Sequence, residues 1–229
     1  MGEAVEALAR IRKLCVDAVD PGALGPWWAD VLDLTWRPWP HGEGGLFRGD
    51  AEHPEIWFNQ VPEPKTVKNR WHLDIYAATV DELLAKGATV VLPEGDGRRW
   101  TIMADPEGGE FCAFLRDPVP EPRMHGLVVD CAEPAKLAAW WVGVLGGKAA
   151  DYQPEHTEVS EVPGMTYTFD FVKVPEPKTV KNRIHLDLTV DAVQPLLDAG
   201  ATLLREDDFA VLADPEGNEL CAFTRPPGS

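Results

Sequence analysis

A repeated ten-residue segment restricts the fold of this chain more than any other feature of its sequence. VPEPKTVKNR occupies positions 61–70 and again 174–183, and each copy leads into a similar run, WHLDI or IHLDL. A second pair of segments, ADPEGGEFCAF at 104–114 and ADPEGNELCAF at 213–223, follows in the same order. Because the copies lie roughly 110 residues apart, much farther than the repeats of a solenoid, they predict two similar globular domains.

The predicted elements follow the same order in both copies. Each copy begins with a strand, IRKLCVDAV or HGLVVDCA, and continues with a helix and further strands, after which this order recurs. In the second copy a helix is predicted over 133–145, because Pro134 suits the first helical position. In the first copy, Pro26 and two nearby glycines predict a start only near Pro26. The Pro-rich joint RDPVPEPRM predicts domain limits of 1–118 and 119–229.

The net charge and the cysteine content indicate which binding partners and which cellular compartment to expect. The formal net charge is −17, and such a field repels nucleic acid and anionic membranes, so we expect neither as a partner. No apolar run approaches membrane-spanning length. The four cysteines form no CxxC pair, which indicates reduced, buried thiols in a cytoplasmic protein; they are Cys15, Cys112, Cys131 and Cys221.

The repeated motifs carry a family resemblance. VPEPKTVKNR-x-HLD and ADPEG-x-E-x-CAF, each present twice after a VxDxxxP-like strand end, resemble the glyoxalase-like branch of the vicinal oxygen chelate superfamily. That superfamily includes glyoxalases, bleomycin-resistance proteins and extradiol dioxygenases. The resemblance implies an α+β fold of tandem glyoxalase-like domains. Four βαβββ modules would form curved, half-open mixed sheets around cavities, with helices outside, as an intramolecular pseudo-dimer.

Strand alternation predicts which side chains share a face. In WHLDI, His72 and Asp74 point to one side and Trp71 to the other, because successive side chains alternate. In the last strand of the copy, Glu110 shares a face with Cys112. A carboxylate beside a cysteine is costly to bury unless it has a partner. The second copy repeats this arrangement with His185, Asp187, Glu219 and Cys221.

The resemblance also implies ligands for a divalent cation. Relatives hold it with one residue of the opening strand, one at the histidine position (His72 or His185) and one at the glutamate position (Glu110 or Glu219). The opening-strand position is Lys13 in the first copy and Gly126 in the second, and neither is a ligand. His125, next to Gly126, has the opposite strand parity and is expected to point away.

Two interpretations of each His–Glu pair therefore remain open. The pair contributes to a site for Zn²⁺, Ni²⁺, Mn²⁺ or Fe²⁺, with a third ligand from elsewhere. Alternatively, no metal is bound, and the pair acts as an acid–base couple or as a structural hydrogen bond between strands.

The repeated decapeptide and the tryptophans allow similar alternatives. The decapeptide is interpreted first as a connector whose cations pair with nearby acids, and second as a basic loop in which Arg70 and Arg183 bind an anionic substrate. Core packing is expected for one tryptophan of each helical pair and for Trp71. Trp57 and Trp100 are candidates to line a binding site.

Three functions follow from these expectations. The first is a lyase or isomerase that acts on a small oxygenated organic molecule, with the His–Glu pairs as catalytic groups and Asp74 and Asp187 as substrate-binding residues. The second is a non-catalytic protein that sequesters a small molecule or antibiotic, as bleomycin-resistance proteins do. In the third, one copy is active and the other only completes the fold.

Overall fold

The computed structural model describes residues 7–225. In this part of the chain there are four α-helices and sixteen β-strands, and the strands are divided between two mixed sheets of eight strands each. The helices are α1 (Pro21–Leu32), α2 (Val80–Ala85), α3 (Pro134–Leu145) and α4 (Gln194–Asp198). The strands are β1 (Ala9–Ala18), β2 (Thr35–Pro38), β3 (Gly44–Phe47), β4 (Ile56–Gln60), β5 (Trp71–Ala77), β6 (Thr89–Leu92), β7 (Thr101–Ala104), β8 (Glu110–Leu115), β9 (Met124–Cys131), β10 (Lys148–Gln153), β11 (His156–Ser160), β12 (Thr168–Lys173), β13 (Ile184–Val190), β14 (Thr202–Glu206), β15 (Ala210–Ala213) and β16 (Glu219–Thr224).

The described chain divides into two compact units. Residues 15–127 form one, the continuous unit; residues 7–14 and 128–225 form the other, the split unit. The predicted domain limits, 1–118 and 119–229, start and finish outside the described residues and stay a prediction. The predicted fold class is confirmed, since each unit combines helices with both parallel and antiparallel strand pairs.

Strand pairing in the continuous unit positions the residues of interest. β5 and β8 are parallel, and their register sets Leu73 opposite Phe111 and Asp74 opposite Cys112. β8 continues antiparallel to β7, which is antiparallel to β6. The split unit repeats this order with β13, β16, β15 and β14, and there Asp187 lies opposite Cys221.

Burial along β5 confirms the predicted alternation. Trp71, Leu73 and Ile75 are buried, whereas His72 and Asp74 are half-buried. The apolar side of the strand therefore belongs to the core. The polar side of the strand remains partly exposed to solvent, so a ligand can contact His72 and Asp74 from this side.

Helix α1 starts earlier than the sequence predicted. It begins at Pro21, with Pro26 inside it, because Asp20 caps it: an Asp20 side-chain oxygen accepts the Ala23 N–H at 3.1 Å. Proline at the first turn has no N–H that needs a partner. The prediction for α3 was accurate, and that helix runs from Pro134 to Leu145.

Each ADPEG turn ties a hairpin to a helix. Asp105 accepts hydrogen bonds from the backbone N–H groups of Glu107 and Gly109 and from the indole N–H of Trp28 on α1. The Glu107 carboxylate accepts the N–H groups of Val19 and Asp20, just before the helix. Asp214 and Glu216 make the equivalent bonds in the split unit. The repetition of this motif therefore has a structural reason.

Asp105 makes the stability of the protein depend on pH. Burial raises the pKa of Asp105 to about 6, although the hydrogen bonds that this carboxylate accepts lower the pKa. Because the folded-state pKa exceeds the unfolded value, this carboxyl favours folding below about pH 4, and the contribution is lost as the pH rises through about 6. The shift corresponds to roughly 3 kcal/mol.

An Asp105→Asn variant, which cannot titrate, measures this contribution. Urea unfolding of wild type and variant from pH 4 to 7 should show the free energy of unfolding of the wild type falling, relative to the variant, as the pH rises. If the difference in free energy of unfolding between wild type and variant stays constant from pH 4 to 7, the pKa of Asp105 is not raised.

Among residues 7–225, no helix combines the length and the apolar character needed to cross a membrane.

Candidate functional site

Three polar side chains of the continuous unit meet on one face of the β5–β8 pair. The parallel register sets Asp74 beside Cys112, and His72 precedes Asp74 by two residues on the same side of β5. His72 Nδ1 lies 3.1 Å from Asp74 Oδ1 and 3.9 Å from Cys112 Sγ. These three residues are called the His72 centre below.

The groups of the His72 centre alter one another's protonation. Burial lowers the pKa of His72, but the interactions with Asp74 and Cys112 outweigh burial and raise that pKa well above its ordinary value. Burial raises the pKa of the Cys112 thiol, and the imidazole only partly opposes this. Both the imidazole of His72 and the thiol of Cys112 therefore bind their protons more tightly than they do in water.

The contact between His72 and Asp74 is close but poorly directed. Although Asp74 Oδ1 lies within hydrogen-bond distance of Nδ1, this buried oxygen has no partner among the described residues that meets hydrogen-bond geometry. We therefore treat the contact as an attraction between charges rather than a well-aligned hydrogen bond.

Glu110, the predicted partner of His72, is bound elsewhere. Its carboxylate accepts a hydrogen bond from Lys65 Nζ at 2.7 Å and another from the Asn69 N–H at 3.1 Å. In the split unit, Glu219 accepts from Lys178 Nζ at 2.7 Å and from the Asn182 N–H at 3.0 Å. A hydrogen-bonded His–Glu couple is thus not among the contacts of the described residues, and any catalytic role of either glutamate stays a prediction.

These ion pairs account for the repeated decapeptide. Lys65 and Lys178 occupy the same place in VPEPKTVKNR and hold the same glutamate of the following hairpin. The connector interpretation, in which decapeptide cations pair with nearby acids, is confirmed for these two lysines. Arg70 and Arg183 are half-buried just before β5 and β13, and their binding of an anionic substrate stays a prediction.

The split unit carries a different arrangement at the corresponding histidine. His185 Nε2 and Asp187 Oδ1 are 3.6 Å apart, and both residues are buried. Asp187 Oδ2 also lies 3.6 Å from the ammonium group of Lys13. Since the residue equivalent to Lys13 in the continuous unit is Gly126, only the split unit has a lysine ammonium beside this aspartate.

A row of aromatic rings continues from the His72 centre. Tyr76, two residues beyond Asp74 on β5, stacks on His125 with ring centroids 4.7 Å apart, and its hydroxyl lies 2.9 Å from His125 Nδ1. The His125 ring meets Phe114 edge-on at 4.9 Å, and Phe114 stacks on Trp100 at 5.4 Å. Tyr76, His125, Phe114 and Trp100 are called the aromatic row below.

The position of His125 corrects one expectation. Strand alternation predicted that its ring would point away, but the ring contacts Tyr76 and Phe114, which lie on the same strand faces as the His72 centre. The Tyr76 N–H bonds to the Arg123 carbonyl at 2.7 Å, so the beginning of β9 lies beside the end of β5. The neighbouring position of β9 and β5 brings the His125 ring against Tyr76, and alternation within β9 alone does not specify this neighbour.

The two tryptophans proposed as lining residues lie in different surroundings. Trp100 belongs to the aromatic row, where its ring is half-buried. Trp57 lies on β4 and meets Trp39 edge-on, with centroids 6.1 Å apart. Trp100 therefore lies near the His72 centre, and binding of a substrate by either tryptophan stays a prediction. Trp28, Trp71 and Trp141 are core residues, as expected.

Comparison with known families and structures agrees with this architecture. A model of the glyoxalase-like domain family matches residues 13–114 and again residues 126–223. The chain therefore belongs to the glyoxalase-like domain family of the vicinal oxygen chelate superfamily and carries two copies of its domain. No curated protein matches the sequence significantly.

Solved structures with this fold are distant in sequence. Glyoxalase I from Zea mays is 14% identical with a TM-score of 0.63, and the alignment covers 93% of this chain and 92% of that one. A Bacillus subtilis protein provisionally assigned as a dioxygenase is 13% identical with a TM-score of 0.62, covering 97% of this chain and 87% of that one. At such low identity the likeness establishes the fold alone.

The residues at the metal positions implied by the family do not fit a cation. The opening-strand position offers an ammonium group in Lys13 and no side chain in Gly126. The glutamate of each set is already neutralised by a lysine at 2.7 Å. A divalent ion between His72 and Glu110 would have to displace Lys65, so no chemistry is assigned to a cation at these positions.

Proposed function

We propose that this protein binds a small oxygenated organic molecule against the His72 face of its continuous unit and transforms it as a lyase or isomerase. The observation that carries the proposal is the placing of the His72 centre and the aromatic row side by side on β5 and β8. An imidazole, a carboxylate and a thiol can hydrogen-bond to a substrate oxygen or exchange protons with it. The neighbouring rings offer an apolar surface for the carbon skeleton.

The spacing of the two parts suits a small ligand. Tyr76 follows Asp74, and Phe114 follows Cys112, by two residues on a strand, which corresponds to about 7 Å. A molecule with one ring or a short carbon chain spans this distance, with its oxygen at the His72 centre. The Tyr76 hydroxyl, held by His125, offers a second polar contact at the aromatic end.

Differences between the copies favour a single working site. In the split unit, Lys13 adds a positive charge beside Asp187, and His185 and Asp187 are more completely buried than His72 and Asp74. A ligand therefore reaches the His72 centre more readily than its counterpart. The split unit is proposed to complete the fold without carrying the reaction.

Tyr76→Ala tests the binding surface, with Thr189→Ala at the equivalent position of the split unit as its matched control. A panel of small hydroxycarbonyl compounds and phenols is screened by thermal shift on the wild-type protein. A ligand at about 100 times its Kd should stabilise the fold by roughly 2.7 kcal/mol. Tyr76→Ala should lose most of this gain and Thr189→Ala should keep it. Equal losses in both variants would contradict binding at the aromatic row.

A sequestering protein is the second candidate function. It is favoured by the ion pairs that occupy the glutamates at the implied metal positions. The two functions differ in the fate of a bound compound. Incubation with a molar excess of protein, followed by denaturation and mass analysis, should return a changed compound from an enzyme and the unchanged compound from a sequestering protein.

A further inference from the structure

The donor atoms of the His72 centre are spaced like the ligands of one metal ion. His72 Nδ1, a carboxylate oxygen of Asp74 and Cys112 Sγ all lie within 4.8 Å of one another. In a tetrahedral zinc site with ordinary bond lengths, nitrogen and oxygen ligands are about 3.4 Å apart, and nitrogen and sulfur about 3.6 Å apart. The observed separations are 3.1 and 3.9 Å, so shifts of a few tenths of an ångström would bring these two contacts to the tetrahedral spacing.

The centre also contains a polar atom that its protein neighbours leave unsatisfied. Asp74 Oδ1 is buried, and none of the described residues forms a well-oriented hydrogen bond with it. An unsatisfied buried carboxylate oxygen costs free energy. A cation bound between the three donors would satisfy this oxygen.

We infer that His72, Asp74 and Cys112 form a site for a soft divalent cation, with Zn²⁺ as the best match. A thiolate and an imidazole select zinc over magnesium or calcium, which prefer oxygen ligands. Three protein ligands leave one tetrahedral position open, as in catalytic zinc sites. A bound cation would there polarise an oxygen of a ligand lying against the aromatic row.

This ligand set differs from the one that the family resemblance implies. Glu110 takes no part, because Lys65 holds it. Its place is taken by Cys112, two residues further along β8, while Asp74 lies two residues beyond His72 on β5. The proposed cation therefore lies further along both strands, by up to about 7 Å.

A second group of possible ligands includes His185 and Asp187 of the split unit, but we expect the cation at the His72 centre. In the split unit, the ammonium group of Lys13 lies 3.6 Å from Asp187 Oδ2 and already places a positive charge beside that carboxylate. A divalent ion at the same location would be repelled by this ammonium.

Cobalt(II) titration of the full-length chain, first treated with chelator and then dialysed, tests the inference. One equivalent should bind with the strong visible absorption of tetrahedral cobalt and a near-ultraviolet thiolate-to-cobalt band. Cys112→Ser should abolish the near-ultraviolet band. It should also weaken cobalt binding by more than about 100-fold. That factor is the upper value typical for loss of a residue that only hydrogen-bonds to a metal ligand. Cys221→Ser, the equivalent change in the split unit, should bind like the wild type.

Asp74→Asn provides a second variant in case Cys112→Ser fails to fold, which circular dichroism would reveal. This variant should still show the thiolate-to-cobalt band, but only at a much higher cobalt concentration. Absence of saturable binding, or loss of the band in Cys221→Ser and not in Cys112→Ser, would overturn the inference. The test uses cobalt alone, so it does not rest on the proposed function. A chain that gives these spectra but binds no compound of the panel would retain the metal site and reject the function.

Discussion

His72→Ala is expected to reduce turnover of the substrate by about 100-fold or more, whereas His185→Ala changes it less than about threefold. The first value is the lower limit usual for a positioned group that exchanges protons with the substrate. His72 lies with Asp74 and Cys112 beside the aromatic row, while His185 is buried with an aspartate that also contacts Lys13. Steady-state kinetics on a substrate from the panel measures both variants.

The comparison of the two histidines needs one control and has one contradicting outcome. Far-ultraviolet circular dichroism and urea unfolding should show that both variants are folded, since each histidine lies on a central β-strand. Equal loss of activity in the two variants would show that both copies contribute to the reaction. Full activity in both would remove histidine from the chemistry and favour the sequestering function.

Lys65→Ala is expected to lower the free energy of unfolding by about 2–3 kcal/mol. Removing one partner of a fully buried ion pair typically costs 3–5 kcal/mol. The Lys65 and Glu110 side chains are 14% and 17% exposed, so water reduces this cost. Lys178→Ala should have a similar effect on the second copy, and the exposed Lys68 provides a control variant from the same decapeptide.

A compensating pair of changes identifies the cause of this loss. The double variant Lys65→Met with Glu110→Gln removes the charge, while the amide oxygen can still accept the Asn69 N–H. It should recover more than half of the stability lost in Lys65→Ala, as measured by urea unfolding. If Lys65→Ala instead kept wild-type stability but lost ligand affinity, Lys65 would be an anion-binding residue and the connector interpretation would fail.

The sequence was sufficient to predict the architecture. The two decapeptides and the two ADPEG segments established the duplication, and their motifs identified the family. Alternation along WHLDI correctly separated His72 and Asp74 from the buried Trp71. These features are local in sequence, so they can be read without knowing which strands are neighbours.

The composition of the site could not be predicted in the same way. Cys112 meets His72 and Asp74 because β5 and β8 pair in parallel with a particular register, and alternation within a strand does not determine that register. The sequence did show Cys112 on the same strand face as Glu110, which was the available signal. Lys65 reaches Glu110 through the path of the connector, which depends on tertiary packing.

The ends of elements were also hard to predict. Helix α1 was expected to start near Pro26, but the Asp20 cap and Pro21 start it earlier. His125 was expected to point away, but its ring lies against Tyr76 in the aromatic row. At α1 a side-chain cap outweighed the pattern, whereas at His125 the pattern did not specify which strand would be the neighbour.

A crystal structure of the cobalt-treated full-length chain, with anomalous data collected at the cobalt edge, tests the central claim most directly. The claim is that the imidazole at position 72 works with the carboxylate and thiol next to it on β5 and β8, while a lysine from the connector keeps Glu110 occupied. The predicted result is an anomalous peak bounded by His72, Asp74 and Cys112, with Lys65 still bonded to Glu110. A peak between His72 and Glu110, with Lys65 displaced, would contradict the account.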